Sequence, residues 1–150
     1  MPKLDPAMLE PTNQSTYPEE FRAPVQRTWK RRVGRAAAFS ALGATHVTLE
    51  PGAWSSQRHW HIGEDELLVI LSGEAVLVED EGRTPLKTGD ICVWPKDTGN
   101  GHQLINESQA ECSFIAVSAG DPTSGCVYSD IDLRIEGGRY VRKDGTDYRT

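Results

Sequence analysis

Three of the four histidines in this chain fall in two short motifs whose residue types suit metal chemistry. His59 and His61 are separated by one residue, so on a strand both imidazoles would project to the same side. Glu66 opens the apolar run that follows, and a carboxylate among apolar neighbours needs a charge partner such as a divalent cation. His102 adds a third imidazole after a glycine-rich loop. Three neutral imidazoles and one carboxylate suit iron(II), manganese, nickel, zinc or copper.

The choice of carboxylate has alternatives beside it in the sequence. Glu64 and Asp65 lie in the turn predicted at Gly63, whereas Glu66 begins the next strand. A packing pair of histidines would need no metal, but the His–x–His pair is joined here by a carboxylate and a third histidine, each after its own glycine turn. The sequence therefore predicts one divalent metal ion per chain, with these ligands: His59, His61, Glu66 and His102.

Four further residues are candidates for the substrate pocket. Gln57 has the same strand parity as His59, so its side chain is expected to point inward with that ligand. Trp54 precedes the histidine motif and Trp94 precedes Pro95, which places both tryptophans at the expected mouth of the pocket. Asn106 falls on the same strand face as His102. No catalytic base stands out, because the one suitable acid, Glu66, is committed to the metal.

Glycine and proline divide the rest of the chain into short segments rich in β-branched and apolar residues. Short strands separated by such turns are typical of an all-β sandwich or barrel. The predicted strands are 45–49, 66–71, 75–79, 91–94, 103–106 and 111–117, with further candidates at 126–128 and 131–135.

The two ends of the chain differ in texture from the middle. Residues 1–35 contain five prolines and are predicted to form an N-terminal arm, with room for a short helix from Val25 onward. Residues 36–119 form the predicted β-barrel, and residues 120–150 a C-terminal extension that packs on it. The open edges of a small barrel need a cover. We expect the two arms to supply it, within one chain or across a two-fold dimer, and we expect the chain to form a homodimer.

Composition excludes several functional classes. The chain has 150 residues and a net charge of −6, which argues against nucleic-acid binding, and no apolar run is long enough to span a membrane. The N-terminus lacks the apolar core of a signal peptide. Three cysteines without a C-x-x-C motif are typical of buried thiols in a reducing compartment, so the sequence predicts a cytoplasmic protein.

One basic cluster departs from the acidic average. Lys30, Arg31 and Arg32 are followed by Arg35, and the sequence favours a helical face that pairs with acids such as Glu19. An anion-binding or nucleic-acid-binding patch is the alternative interpretation of the same residues.

The two histidine motifs resemble the two conserved motifs of the cupin superfamily. The first reads Gly52, six residues, His59-x-His61, four residues, Glu66, six residues, Gly73. The second reads Gly89, five residues, Pro95, then Gly99, two residues, His102, three residues, Asn106. The spacing departs from the cupin motifs at two places. There is one extra residue before His59, and there are two extra residues between Pro95 and Gly99. Both insertions fall in turns, where they are tolerated.

This resemblance implies a double-stranded β-helix, or jelly-roll, barrel that holds a metal ion inside. Four segments are also similar to small single-domain bacterial cupins, some of them labelled sugar-phosphate isomerase: 56–61, 99–102, 128–133 and 143–148. The expected function is that of a metal-binding cupin acting on a small polar metabolite, with isomerisation of a sugar or sugar phosphate favoured. An iron(II)-dependent dioxygenase, a lyase and a non-catalytic small-molecule binding module are the alternatives.

Overall fold

The computed structural model describes residues 3–148 and consists mainly of antiparallel strands. The strands are β1 (Thr28–Arg31), β2 (Leu42–Leu49), β3 (His59–His61), β4 (Glu64–Ser72), β5 (Glu74–Glu79), β6 (Gly82–Lys87), β7 (Ile91–Trp94), β8 (Gln103–Ile105), β9 (Cys112–Gly120), β10 (Cys126–Tyr128), β11 (Arg134–Glu136) and β12 (Arg139–Val141). The helical segments are α1 (Val33–Ala36) and the 3-10 turns Pro6–Met8, Glu19–Phe21, Ala23–Val25 and Pro122–Ser124. Within residues 3–148, the helices lack the length and apolar character that crossing a bilayer would require.

The strands form two layers. The first is a five-stranded sheet in the order β1-β2-β9-β4-β7. The second combines the sheets β12-β11-β10-β3 and β6-β5-β8, which are joined by a backbone bridge between His59 and His102. Two packed antiparallel sheets of this kind make a jelly roll. The predicted all-β architecture is confirmed.

The core between the layers follows from strand alternation. Leu68 and Ile70 of β4 point inward and are buried, as are Val47 and Leu49 of β2 and Phe114 of β9. Each such side chain contributes roughly 1.5–3 kcal/mol on burial. A second cluster, centred on Leu133, Tyr17 and Tyr128, lies under the two arms. These arms therefore pack on the barrel as part of the fold, whereas the division at residues 35 and 119 stays a prediction.

The N-terminal arm corrects one expectation. A helix from Val25 onward does not form, because Thr28–Arg31 pairs as β1 with β2 in antiparallel register. β1 is a better strand than helix, since threonine and tryptophan favour extended backbone and the free edge of β2 offers hydrogen bonds. Thr28 is buried, and its hydroxyl donates to the carbonyl of Trp54 at 2.5 Å. Among residues 3–148, α-helix is confined to Val33–Ala36, so the basic cluster does not lie on one helical face.

Two strand edges are covered within a single chain. β1 protects the edge of β2, and β10 pairs with β3. The candidate strand at 131–135 begins only at Arg134, because the chain turns just before it, where the amide of Leu133 donates to the carbonyl of Ile131 at 2.9 Å. Sequence inspection missed β6 and β12, whose charged residues read as turns.

The three cysteines are unpaired and buried. Burial raises the pKa of each thiol to about 11, so all three are protonated small apolar groups at neutral pH. Their environment matches the one expected from their spacing, and the cytoplasmic location stays a prediction.

One apolar surface is left on the outside of the first sheet. Ile91 and Val93 of β7 are 64% and 62% exposed, and Leu67 of β4, which pairs with Val93, is 39% exposed. Adjacent exposed apolar side chains on one sheet face commonly mark a protein–protein contact. The homodimer stays a prediction, and this face is the contact surface that we assign to it.

We expect the wild-type chain to sediment at about twice its mass of 16.6 kDa, and a V93E variant to sediment as a monomer. A buried carboxylate without a partner opposes association. The matched control is M8E, at an 82% exposed side chain away from this face. A wild-type mass near 16.6 kDa at micromolar concentration would contradict the homodimer.

Candidate metal centre

Four side chains from three segments meet at one point inside the barrel. His102 Nε2 lies 2.7 Å from Glu66 Oε2, and His61 Nε2 lies 3.6 Å from the same oxygen. His59 Nε2 is 3.2 Å from His61 Nε2. The structure therefore brings together the four residues that the motifs singled out.

Local backbone geometry explains this convergence. His59 and His61 alternate with Trp60 on β3, so both rings project to the inner side. Gly63 then takes a φ of +78°, which allows the tight turn into β4, and a Cβ there would lie 2.6 Å from the hydroxyl of Ser124. Glu66 follows on the inner face of β4.

The third histidine is placed by reciprocal backbone hydrogen bonds. The amide of His102 donates to the carbonyl of His59 at 2.9 Å, and the amide of His59 donates back at 3.2 Å. Gly101 passes so close to the C-terminal segment that a Cβ there would lie 1.9 Å from the hydroxyl of Ser129. The pairing of β3 with the start of β8 thus fixes the distance between the two histidine motifs.

Arg58 reinforces that pairing from the outer side. Its guanidinium donates to both carboxylate oxygens of Asp130, at 2.9 and 2.8 Å, and to Asp80. It also donates to the carbonyl of Gly101 at 3.0 Å. These hydrogen bonds raise the pKa of Arg58 and lower that of Asp130. Arg58 therefore ties β3, the hairpin tip and the loop before His102 together.

The tautomer of His59 follows from its backbone neighbour. Its Nδ1 lies 2.7 Å from the carbonyl oxygen of Gln57, which can only accept, so Nδ1 carries the proton. The lone pair of Nε2 consequently faces the other three side chains. A histidine held in this way is oriented as metal-ligating histidines usually are.

His102 is held by an aromatic stack. Its ring lies 3.7 Å from that of Trp94, with an interplanar angle of 5°, and both residues are buried. The Nδ1 atom of His102 is buried without a hydrogen-bond partner among residues 3–148. Stacking, rather than a hydrogen bond at Nδ1, therefore fixes the orientation of this ring.

Electrostatics favour a neutral imidazole next to an ionised carboxylate. Burial, reinforced by the neighbouring His61 and His102, lowers the pKa of His59 to about 4. Burial alone would raise the pKa of Glu66, but the hydrogen bond from His102 and the nearby histidines outweigh it and lower that pKa to about 2. At neutral pH, His59 is thus an electron-pair donor and Glu66 an anion, which are the protonation states that a cation requires.

These four residues lie at one end of a cavity of about 390 Å³. Trp94 lines it. Four residues that the sequence interpretation did not assign to the pocket also line it: Tyr17, Lys30, Arg32 and Tyr128. Burial raises the pKa of Tyr17 to about 12 and also raises that of Tyr128, so both hydroxyls are neutral. The basic cluster was visible in the sequence, but its assignment to a helix hid this position.

Three other pocket candidates lie elsewhere. The side-chain amide of Gln57 donates to the carbonyl of Phe21 at 3.0 Å. This contact with the N-terminal arm holds the side chain away from the cavity, although strand alternation predicts that it points inward with His59. Trp54 packs in the second cluster instead of at the pocket mouth. Asn106 is wholly buried and donates to the carbonyls of Leu49 and Ala110, which makes it a loop-stabilising residue.

The spacing of the four donor side chains can be set against the spacing of ligands around a metal ion. In the described residues, no group of three or more His, Cys, Asp or Glu side chains could hold a metal ion as it stands. The donor atoms contact each other in two pairs, His102 with Glu66 at 2.7 Å and His59 with His61 at 3.2 Å. Ligands at right angles about 2.1 Å from one ion are roughly 3 Å apart, close to these pair distances. The separations between these donor atoms are therefore compatible with one shared divalent ion, whose binding stays a prediction.

Comparison with known proteins is consistent with this architecture. Residues 45–118 match the family model of the cupin domain. A sugar phosphate isomerase from a cupin superfamily of Silicibacter pomeroyi has a TM-score of 0.92 and 36% identity, over 99% of this chain and 98% of that chain. A predicted oxalate decarboxylase from Thermotoga maritima has a TM-score of 0.64 and 25% identity, over 79% and 99%.

A curated relative matches a shorter segment. The oxalate-binding protein of Thermotoga maritima is 38% identical over 71 residues, which is 47% of this chain and 56% of that protein. The chain thus spans a little over half the length of this relative. From the family model and the full-length similarity to the Silicibacter protein, the chain belongs to the cupin superfamily.

We expect protein prepared without chelator to contain about one divalent ion per chain, and the H59A/H102A double variant to contain almost none. Removing two of four donors leaves too few ligands for tight binding. Metal analysis by mass spectrometry measures the content, with H46A as the control, because His46 lies on the opposite face of β2 and does not line the cavity. Stoichiometric metal in the double variant would show that the ligands are others.

Stability should depend on pH in two separable ways. An unfolded histidine titrates near ~6.5, whereas buried His59 titrates near 4. Between these values the unfolded state binds more protons, so the free energy of unfolding decreases as the pH falls from about 6.5 to about 4, by at most about 3 kcal/mol. Added manganese or zinc should raise the melting temperature at pH about 7.5, and this increment should shrink towards pH about 5 because protons compete for the imidazoles.

The measurement is a pair of melting series over this pH range, one with chelator and one with added metal. Histidines that serve only in packing would give the acid loss in both series and no difference between them. Coincident curves at pH about 7.5 would therefore exclude the metal site.

Proposed function

We propose that this chain is a metal-dependent cupin that binds one divalent ion through His59, His61, Glu66 and His102 and acts on a small polar metabolite in the adjoining cavity. The observation that supports this is the convergence of three imidazoles and an ionised carboxylate at one end of that cavity. Iron, manganese, nickel and zinc all suit this donor set. A bound divalent ion would supply Lewis acidity towards adjacent oxygen atoms of the metabolite.

The reaction that we propose is isomerisation of a sugar or sugar phosphate. Support comes from the similarity to the Silicibacter protein, which is described as a sugar phosphate isomerase. The two chains align over nearly their whole lengths. Tyr17 and Tyr128 suit such a substrate, because their neutral phenols line the cavity and can donate to hydroxyl and carbonyl oxygens. Transfer of a proton between carbon atoms needs a general base.

A second candidate function is binding of a small dicarboxylate without turnover. The oxalate-binding protein and the predicted oxalate decarboxylase of Thermotoga maritima favour it. Oxalate presents two adjacent carboxylates, and such oxygen pairs can chelate a cation. The iron(II) dioxygenase alternative is supported by the donor set alone.

The isomerase proposal predicts metal-dependent interconversion of aldose and ketose phosphates by the manganese- or iron-loaded chain, followed by NMR. E66Q should lower the rate by more than about a hundredfold, since even residues that only orient metal ligands contribute about 10–100-fold. The matched control is E81Q, because Glu81 is exposed and does not line the cavity. Loaded protein that binds oxalate but converts none of the sugar phosphates would favour the binding module instead.

A further inference from the structure

The cavity beside the candidate metal centre has an unusual charge. The chain carries a net charge of −6, but Glu66 is the only carboxylate among the described residues that line this cavity. Lys30 and Arg32 line it as well. With neutral histidines, one negative charge therefore faces two positive charges, and a divalent cation at the cluster would make the interior more positive still.

The register of β1 explains why Lys30 faces inward. Lys30 lies directly opposite Val47 of β2, and opposed residues on neighbouring strands point to the same side of the sheet. Val47 is buried in the core, so the lysine side chain extends into the barrel. The backbone of Lys30 is also bonded in both directions to Thr12, at 2.9 and 2.8 Å, which fixes the strand on its outer edge. The position of this lysine is thus set by two strand pairings.

Lys30 has no compensating charge in the described part of the chain. The salt bridges and side-chain hydrogen bonds found among residues 3–148 do not include its ammonium group. Burial, together with the nearby Arg32, lowers its pKa. Holding a half-buried cation next to a second cation costs free energy that packing alone does not return. An anion bound at this position would offset that cost.

We propose that Lys30, with Arg32 at the cavity mouth, forms an anion-binding subsite that takes the carboxylate or phosphate group of a metabolite whose other end reaches the candidate metal centre. This inference rests on the proposed function, since it assigns the second contact of the same ligand. It identifies the substrate class as small acids with an oxygen-rich end for the metal and a separate oxyanion. A charge-assisted hydrogen bond to lysine is the contact that such a group would make.

A purely structural role for Lys30 makes a different prediction. Its methylene stem could cover apolar surface while the ammonium reaches solvent through the cavity. K30M retains most of that stem and removes the charge, so a structural lysine would be replaced without effect on ligand affinity. K30R retains the charge and should retain the affinity of an anion subsite.

The test uses the manganese-loaded full chain and calorimetric titration with three probes. Glycerate, 3-phosphoglycerate and malate share an α-hydroxy acid that can chelate a cation, and only the last two carry a remote phosphate or carboxylate. We expect wild type to bind at least one of these two about tenfold more tightly than glycerate, and K30M to lose this advantage, since a hydrogen bond to a charged group is worth about that factor or more. Which probe gains identifies the oxyanion.

Controls separate this inference from the proposed function. K87M removes an exposed lysine outside the cavity and should leave all three affinities unchanged. The manganese content and glycerate affinity of K30M should equal those of wild type. An advantage that persists in both K30M and R32M overturns the anion subsite while the metal site stands. Wild type that takes up no manganese, or binds none of the probes, overturns the proposed function and the subsite with it.

Discussion

The structure depends most on the reciprocal hydrogen bonds between His59 and His102. This single bridge joins the two small sheets into one layer, and the same bridge sets the separation of the two histidine motifs. Arg58 strengthens it by tying β3 to the loop before His102. Fold and site therefore share one constraint, and a change that loosened this pairing would move two of the four donors together.

The cavity also depends on the N-terminal arm, which forms part of its wall. β1 covers the edge of β2, which an isolated barrel would expose, and its alternation directs Lys30 inward. Tyr17 of the arm stacks edge-on against Tyr128 at 5.6 Å and accepts a hydrogen bond from the amide of Gln57 at 3.2 Å. The arm thus supplies part of the cavity wall and orients the backbone carbonyl that holds His59. The barrel without it would have neither.

The sequence predicted what depends on local spacing. The inward projection of His59 and His61 follows from strand alternation, and most central strands follow from apolar runs between turns. Predictions failed where remote segments decide. Gln57 has the expected parity, but its amide is taken by Phe21, 36 residues away in sequence. Lys30 was assigned to a helix because the pairing of β1 with β2 is a tertiary contact that a short basic segment does not encode.

Positive and negative side chains lie at different parts of the cavity. Of the described residues that line it, the one carboxylate, Glu66, lies among the histidines, and the cations Lys30 and Arg32 come from the arm. A cation at the histidine end would compensate Glu66 and leave the arm's charges unbalanced. A bound metal ion adds positive charge, so the charge imbalance grows as the site fills. Charges also interact more strongly in a cavity than in water. In the proposed function, an anionic ligand balances both ends, so binding of the ion and of an acidic metabolite would each strengthen the other.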